Sequence, residues 1–283
     1  MPTEKEEYKQ FISGVFSRTA ETYSQVGPEF FQHFGGQLVD YAGIEAGDHV
    51  LDVASGRGAV LFPAVEAVGD SGMVTGIDLA QGMVARLSAD LAARGLTNAE
   101  VFQMDAENLD LEEKSFDRVI SGFSFFFYPN LEKALAEFHR VLKPGGVVAT
   151  TTFERYDTEI NNELRELAKS FEGELTPAPK MDTNLLDSVD EIQEVFGQAG
   201  FVDVECQIER KTFYYQDEEQ WWQVQWSHGR RALLERMSTD VQARYRASAR
   251  MILQAHSDKG GIPDEFSIIY SRARKPGGAG EMD

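Results

Sequence analysis

The sequence has few of the features that tie a protein to a membrane, to nucleic acid or to an oxidising compartment. It contains one cysteine, Cys206, which excludes an intrachain disulfide and a cysteine-based metal site. Basic residues are scarce: 27 Lys and Arg stand against 47 Asp and Glu, and the net charge of -20 argues against a polyanionic partner such as nucleic acid. No stretch is long and apolar enough to span a bilayer, and the charged opening Met1–Glu7 does not resemble a signal peptide. Without a cysteine cluster or a ligand spacing of His, Asp and Glu, no metal is predicted either. We therefore expect a cytoplasmic protein, and the sequence leaves both a monomer and a homodimer open.

The most informative segment that is present runs from His49 to Val60. It predicts a buried strand, a glycine turn and the start of a helix. Small residues at alternate positions after Asp52 let the backbone pass within contact of a ligand that side chains would otherwise block. These residues are Ala54, Gly56 and Gly58.

Two further acids follow apolar runs of the same kind. Asp78 ends Met73–Ile77, where a carboxylate can accept hydrogen bonds from both hydroxyls of a ribose. Asp105 follows Val101–Met104, where a carboxylate suits an adenine amino group. Together with the glycine turn, these acids predict a nucleotide-like cofactor.

A nicotinamide dinucleotide is the rival interpretation of the glycine turn. Its fingerprint requires a third glycine, and when the pattern starts at Gly56 and Gly58 the third position is Leu61. The interval from Gly58 to Asp78 suits either cofactor and decides nothing. The acids Asp52 and Asp105 separate the two interpretations, and they favour a nucleotide-like cofactor other than a nicotinamide dinucleotide.

Apolar runs alternate with helical patterns from Val50 to Phe153, which predicts parallel strands joined by right-handed crossovers. The clearest helix follows Pro129-Asn130, and Pro144-Gly145-Gly146 is expected to stop it. A capping box at Ser188–Glu191 opens a later helix. Strands are predicted near residues 49–54, 73–78, 100–104, 117–122, 146–153, 201–210 and 266–274.

The acids and glycines, with Phe116–Ile120 and Leu142–Gly146 after them, resemble the motif series of class I S-adenosylmethionine-dependent methyltransferases. The nearest resemblance is to the small-molecule type of ubiquinone and menaquinone biosynthesis. It implies an α/β, Rossmann-like, doubly wound sheet of seven strands with an antiparallel last strand and a helical lid over the carboxyl ends of the strands. It also implies S-adenosylmethionine as cofactor and S-adenosylhomocysteine as product. The cofactor-binding residues implied are Tyr23, Asp52, Ala54, Ser55, Gly56, Asp78, Leu79, Met83, Asp105, Ala106 and Ser121.

The resemblance also divides the chain. Residues 46–212 form the predicted core, with an insertion at 154–186. The predicted lid comprises residues 1–45, this insertion and a helical substrate cap at 213–262. The last core strand falls within 263–275, and residues 276–283 are predicted to be disordered.

The acceptor is expected to be a small aromatic or lipophilic metabolite that offers an O, N or C nucleophile. Four consecutive aromatics follow the fourth strand, where the family places the transferred methyl group, and aromatic faces favour a sulfonium cation. Among the five histidines, His33 and His228 lie among aromatics in the predicted lid and are the candidate catalytic bases. The candidate substrate contacts are Phe125, Phe126, Phe127, Tyr128, Trp222 and Arg230.

Two other functions fit the same fold. A chain that keeps the cofactor as a structural element can promote a cyclisation or another reaction without methyl transfer, and the lack of histidine near Phe126 and Phe127 is compatible with that. A non-catalytic binding protein is the second alternative, and it leaves the intact motif series unexplained. A protein that does not bind the cofactor should be indifferent to Asp78→Ala.

Overall fold

The computed structural model describes residues 2–179 and 185–277. Its seven-stranded sheet has the order β3-β2-β1-β4-β5-β7-β6. Neighbouring strands from β3 to β5 are parallel, and β7 runs antiparallel to β5. The strands are β1 (His49–Val53), β2 (Met73–Asp78), β3 (Ala99–Gln103), β4 (Phe116–Gly122), β5 (Leu142–Phe153), β6 (Val202–Tyr215) and β7 (Ile262–Arg274). The predicted fold class, including the antiparallel last strand, is confirmed.

Helices lie before, between and after the strands. Between β4 and β5, Asn130 caps the helix by accepting a hydrogen bond from the Lys133 N–H, as the sequence predicts for a helix that begins here. In the described residues the helices are α1 (Glu4–Thr19), α2 (Phe30–Ala42), α3 (Leu61–Val68), α4 (Gln81–Ala93), α5 (Leu131–Val141), α6 (Glu159–Ser170), α7 (Val189–Gln198), α8 (Glu218–Ser227), α9 (Arg231–Leu234) and α10 (Thr239–His256).

Three strands are longer than the sequence predicts. α5 ends at Val141 and β5 begins at Leu142, so Pro144-Gly145-Gly146 lies within the strand and does not itself stop the helix. Gly145 has a φ of 80° there, and the register with β4 shifts. β6 extends to Tyr215, and β7 begins as early as Ile262. The Tyr215 hydroxyl donates a hydrogen bond to Asp264 Oδ2 at 2.9 Å, a long-range contact that links these two extensions.

The described chain forms two compact units. Unit 1 comprises the described residues of Met1–Phe30, Arg155–Met181 and Arg210–Ser267. Its core is mostly helical and rich in aromatic side chains, with Trp222 and Tyr245 at 6.3 Å between ring centroids. Unit 2 comprises the described residues of Phe31–Glu154, Asp182–Glu209 and Ile268–Asp283.

Unit 2 contains β1 to β5. Its core is formed by apolar side chains of α5 and α7 that pack against the sheet. Phe138 and Phe196 are fully buried there, and both contact the ring of Phe125. Most of the tail predicted to be disordered, residues 278–283, lies outside the described part of the chain. Just before it, Lys275 Nζ donates hydrogen bonds to the carbonyls of His139 and Leu142. Burial of this apolar face provides the rigid frame on which the strand ends are displayed.

Candidate active site

Parallel strands of unit 2 end at one edge of the sheet, and the predicted acids meet there. The strand register pairs Asp52 of β1 with Gly76 of β2 and with Ile120 of β4. β2 ends at Asp78, which pairs with Gln103, the last residue of β3. Open α/β sheets bind ligands at this carboxyl edge, so the acids stand where a cofactor is expected.

The turn after β1 folds back on β2. The Ser55 N–H donates to the Ile77 carbonyl at 2.9 Å, and the Ser55 hydroxyl donates to the Asp52 carbonyl at 2.9 Å. This path requires left-handed backbone at Ala54 (φ 60°) and at Gly56 (φ 52°). Alanine tolerates that conformation at a cost of about 1 kcal/mol, so Ala54 is a point of local strain within the predicted cofactor turn.

Close packing keeps this turn free of side chains. A Cβ on Gly58 would lie 2.6 Å from the ring of Phe62, and Gly58 itself has a φ of 81°. A Cβ on Gly76 would lie 2.7 Å from Ser55 Oγ. Glycine is thus required at both positions, once for the turn itself and once for the strand on which it rests.

Asp52 is a buried carboxylate whose charge is not compensated by hydrogen bonds. Its residue surface is 1% exposed, and neither carboxylate oxygen has a hydrogen-bond partner among the described residues. Burial raises the pKa of Asp52 to about 8; the Ser55 hydroxyl opposes this shift, and the charge of Asp78 adds a smaller contribution to it. An orphaned carboxylate of this kind fits a cationic ligand, such as the ammonium group of an amino acid.

Asp78 is half-buried and connects the turn after β1 to the start of α4. Its Oδ2 accepts the Gly56 N–H at 2.9 Å, and its Oδ1 accepts the Ala80 N–H at 2.8 Å. Burial raises the pKa of Asp78 to about 6, while these two N–H groups oppose the shift. A carboxylate oxygen accepts more than one hydrogen bond, so both oxygens can still take a ribose hydroxyl.

The other predicted cofactor residues of unit 2 surround these acids. Asp105 Oδ1 accepts the Glu107 N–H at 2.9 Å and shapes the turn after β3, which buries Ala106. Leu79 is half-buried, whereas Met83 of α4 is 1% exposed and therefore offers almost no surface to a ligand.

A cluster of hydroxyl groups follows the end of β4. The buried Ser121 hydroxyl donates to the Val53 carbonyl at 2.8 Å and contacts the Ser124 hydroxyl. Ser124 Oγ lies 2.7 Å from the Tyr128 hydroxyl. Burial raises the pKa of Tyr128, and the charges of Asp78 and Asp52 add to the shift, so this phenol stays protonated beside the two acids.

The four aromatics after β4 divide between the core and the edge. Phe125 is fully buried against Phe138 and Phe196 and has no exposed surface to offer a substrate. Phe126 and Phe127 are half-buried with their centroids 4.7 Å apart, and Phe126 also contacts Phe153 at 5.7 Å. These three rings form an aromatic edge at the carboxyl ends of β4 and β5.

His33 of α2 makes a close contact with a carboxylate that the sequence does not reveal. His33 Nε2 lies 2.7 Å from Glu209 Oε1, and the Tyr270 hydroxyl donates to Glu209 Oε2 at 2.6 Å. His33 also packs its ring against Phe34 at 5.0 Å. The candidate base is therefore held in place by partners on β6 and β7.

Unit 1 contains the remaining predicted site residues. His228 follows α8, and burial with the neighbouring Arg230 lowers its pKa to about 3, which keeps the imidazole neutral. Trp222 is buried in the aromatic core, 6.4 Å from Trp226 between centroids. Tyr23 packs edge-on against Phe16 at 6.1 Å, and its predicted role over the cofactor stays a prediction.

The two neighbouring arginines of unit 1 differ in what they bind. Arg231 donates to Glu235 Oε1 at 2.7 Å and to the Arg18 carbonyl at 3.0 Å. Arg230 is exposed, and its guanidinium forms no hydrogen bond or ion pair with any residue that the structure describes. The charge of Arg230 acts on neighbouring groups of unit 1, because it lowers the pKa of His228 and opposes the rise in the pKa of Asp264.

The described residues contain neither a metal-binding cluster nor a membrane-spanning helix. No group of three His, Cys, Asp or Glu side chains lies close enough to hold a metal ion there. None of the helices in the described ranges has the length and apolar character needed to cross a membrane.

The strand order is that of a Rossmann-like α/β sheet, and comparison with known proteins specifies the family. Residues 50–146 match the family described as a methyltransferase domain. The nocamycin O-methyltransferase of Saccharothrix syringae is 30% identical over 277 residues, which cover 93% of this chain and 99% of the relative. Aklanonic acid methyltransferase DauC of Streptomyces sp. strain C5 is 41% identical over 145 residues, 51% of this chain and 66% of the relative. The match to DauC thus spans just under two thirds of that protein.

A solved structure agrees on the fold. Phosphoethanolamine N-methyltransferase 2 of Haemonchus contortus, in complex with phosphomonomethylethanolamine and S-adenosylhomocysteine, aligns with a TM-score of 0.59 at 19% identity. The alignment covers 98% of this chain and 61% of that chain.

The chain belongs to the S-adenosylmethionine-dependent methyltransferases. The predicted family, enzyme class and cofactor are therefore confirmed.

Several residues at this edge escape prediction from the sequence. Ser124 lies three positions after Ser121 and four before Tyr128, a spacing that brings hydroxyls together only because the chain forms a 3-10 turn at Phe125–Phe127. Glu209 is 176 residues from His33, and Tyr270 is 61 residues from Glu209. No local sequence pattern indicates a contact between residues so far apart in the chain.

Proposed function

We propose that this methyltransferase transfers a methyl group to an oxygen atom of a small, aromatic, acidic metabolite. The names of two relatives support parts of this acceptor class: the nocamycin O-methyltransferase supports oxygen as the methylated atom, and the aklanonic acid methyltransferase supports an acidic acceptor. The observation that carries the proposal is the aromatic edge beside the acids. Phe126, Phe127 and Phe153 provide flat apolar surfaces next to the turn whose Tyr128 phenol is influenced by Asp52 and Asp78.

The acid edge supplies the cofactor contacts in this proposal. S-adenosylmethionine contributes an activated methyl group on a sulfonium sulfur. Asp52 compensates the ammonium group of its amino acid portion, Asp78 accepts the ribose hydroxyls, and Asp105 accepts from the adenine amino group. The buried hydroxyls of Ser121 and Ser124 keep Tyr128 in place as a neutral donor at the same edge.

Methyl transfer places modest demands on the protein. An in-line displacement proceeds when the nucleophile is aligned and water is excluded, and the aromatic edge serves both tasks. A proton acceptor is needed only when the nucleophilic oxygen arrives protonated. His33 is the better of the two candidate bases, because its carboxylate partner can stabilise a protonated ring, whereas burial and Arg230 oppose protonation of His228.

For unit 1, we propose that Arg230 binds an anionic group of the acceptor. We expect Arg230→Gln to raise KM for an acidic acceptor about tenfold or more and to leave kcat unchanged, because a charge-assisted hydrogen bond contributes about 1.5 kcal/mol or more. Steady-state kinetics with the acid and with its methyl amide would measure this, and the amide should be insensitive. Arg250→Gln is the matched control, since Arg250 is an exposed arginine of the same unit that pairs with Glu218. Equal KM values in wild type and Arg230→Gln would exclude the role.

Incubation with S-adenosylmethionine and a panel of aromatic carboxylic acids, their hydroxylated analogues and the matching anilines tests the acceptor proposal. Mass spectrometry and NMR of each product identify the methylated atom. Methyl groups on oxygen support the proposal, and methylation of nitrogen or carbon alone contradicts it.

Action as a monomer or homodimer in the cytoplasm, without a nucleic-acid partner, is retained as a prediction from the sequence.

A further inference from the structure

Glu209 joins two side chains from different elements of unit 2. Its Oε1 lies 2.7 Å from His33 Nε2 on α2, and its Oε2 accepts the Tyr270 hydroxyl of β7 at 2.6 Å. All three side chains are partly shielded from solvent, with 25% of the His33 side chain and 28% of the Glu209 side chain exposed. Burial and Glu209 both raise the pKa of Tyr270, so the phenol remains a donor and the carboxylate remains its acceptor.

This triad lies at the edge of the sheet where β4 and β5 end. Tyr270 pairs in register with Thr151 of β5, and Thr151 pairs with Gly122, the last residue of β4. On α2, Phe34 next to His33 packs against Phe123, which directly follows β4, at 6.0 Å between centroids.

The same helix is fixed against the cofactor turn. A Cβ on Gly35 would lie 2.3 Å from the Ala59 carbonyl oxygen, so the backbone of α2 is in contact with the segment after the glycine turn. His33 precedes Phe34 by one residue and Gly35 by two, so its side chain leaves the helix on another side than these two contacts and projects toward Glu209 of β6. A rigid helix at that edge can present an imidazole to an acceptor atom in a reproducible orientation.

The chemistry of the pair favours one tautomer of His33. An ionised carboxylate accepts a hydrogen bond, so Nε2 carries the proton that faces Glu209 and the lone pair resides on Nδ1. The carboxylate also stabilises the imidazolium that forms when Nδ1 takes a proton. Tyr270 holds the second oxygen of Glu209 and thereby limits rotation of the carboxylate.

We propose that Glu209, held by Tyr270, is a positioning residue that fixes His33 as the proton acceptor for a hydroxyl group of the acceptor. This inference rests on the proposed O-methyl transfer. The O–H proton passes to His33 Nδ1, the oxygen electron pair forms the new bond to the methyl carbon, and sulfur retains the electron pair of the broken S–C bond. The acceptor class is then a phenol or enol, whose oxygen is protonated at neutral pH.

Two acceptors separate this role from a structural one. With a hydroxyl acceptor, His33→Gln should lower kcat by about 100-fold or more, as expected for the loss of a general base. Glu209→Gln should lower kcat by about tenfold and displace the pH profile, and Glu209→Asp should recover part of the loss. With a carboxylic acid as the nucleophile, which is already ionised, all three variants should match wild type. Glu205→Gln is the control, because Glu205 lies on the same strand and pairs with Arg272 instead.

A second readout needs no turnover. Nitrogen-15 NMR of the ligand-free protein distinguishes a ring protonated on Nε2 from one protonated on Nδ1, and we expect the Nε2 form of His33 in wild type and a mixture in Glu209→Gln. An unchanged tautomer in Glu209→Gln, or an equal loss of rate with both acceptors, would overturn the proposal. If wild type methylates neither acceptor, the proposed function fails, and the tautomer result still decides the role of Glu209.

Discussion

Replacement of Asp78 by asparagine is expected to weaken S-adenosylmethionine binding about 100-fold, because the two ribose hydroxyls lose their charge-assisted hydrogen bonds to the carboxylate, at about 1.5 kcal/mol each. Both carboxylate oxygens already accept backbone N–H groups, from Gly56 and from Ala80. An amide NH₂ placed against either donor removes one of these contacts and releases the turn that shapes the site. Calorimetric titration with S-adenosylmethionine and with S-adenosylhomocysteine measures the change.

The matched control for this experiment is Asp110→Asn. Asp110 is an exposed acid in the loop after β3, and the substitution removes the same charge without touching the turn. Circular dichroism and thermal denaturation establish that both variants fold. Wild-type affinity in a folded Asp78→Asn protein would refute the assignment of the cofactor to this edge.

The second large effect concerns Asp52, whose substitution is expected to stabilise the ligand-free protein and to weaken cofactor binding. Burial raises the pKa of Asp52 from 3.8 to about 8, and its oxygens have no hydrogen-bond partners in the described residues. A carboxyl group with a raised pKa contributes stability below its unfolded pKa and loses it as the pH rises through the folded value. The ligand-free wild type should therefore lose stability between about pH 4 and about pH 8.

Asp52→Asn removes this pH-dependent loss. Each unit of pKa shift corresponds to about 1.4 kcal/mol, so the full shift of about four units sets an upper limit of about 5 kcal/mol. The variant should gain between about 1 kcal/mol and this limit over wild type near pH 8 and nothing near pH 4. Denaturant unfolding across this range measures the difference, with the exposed Asp70→Asn as control. A stability difference that does not change with pH would show that Asp52 ionises normally in the folded protein.

The cofactor should reverse the effect of this burial. A cationic amino acid group favours the ionised carboxylate, so binding at pH 7 is expected to release about one proton in wild type and less in Asp52→Asn. Calorimetry in buffers of different ionisation enthalpy counts the protons. We also expect Asp52→Asn to bind S-adenosylmethionine at least about tenfold more weakly, since a charged partner of the ligand is lost.

The fold and the cofactor edge could be predicted because their signals are local. Asp52 and Asp78 each end or nearly end an apolar run, and the parallel strand order brings such ends together. The sequence likewise indicates the glycine turn, because the backbone there adopts positive φ angles and close contacts that small residues permit. It does not indicate that the Asp52 oxygens lack partners, since that depends on the packing of the whole edge.

The acceptor side was harder to predict because it depends on contacts across long stretches of chain. Periodicity cannot tell that Phe125 turns into the core while Phe126 faces the edge, because the 3-10 turn between Ser124 and Tyr128 decides it. The pairing of His33 with Glu209 has no signature at a separation of 176 residues. The extensions of β6 and β7 were also missed, because their ends are linked by the long-range bond between Tyr215 and Asp264.

The most direct test of the account is the stoichiometry of a single reaction with methyl-labelled S-adenosylmethionine and an aromatic hydroxy acid. The account predicts one S-adenosylhomocysteine formed for each acceptor molecule that gains a labelled methyl group on oxygen. A rearranged or cyclised acceptor, formed while S-adenosylmethionine is bound but not consumed, would contradict it and show that the acid edge holds the cofactor for another reaction.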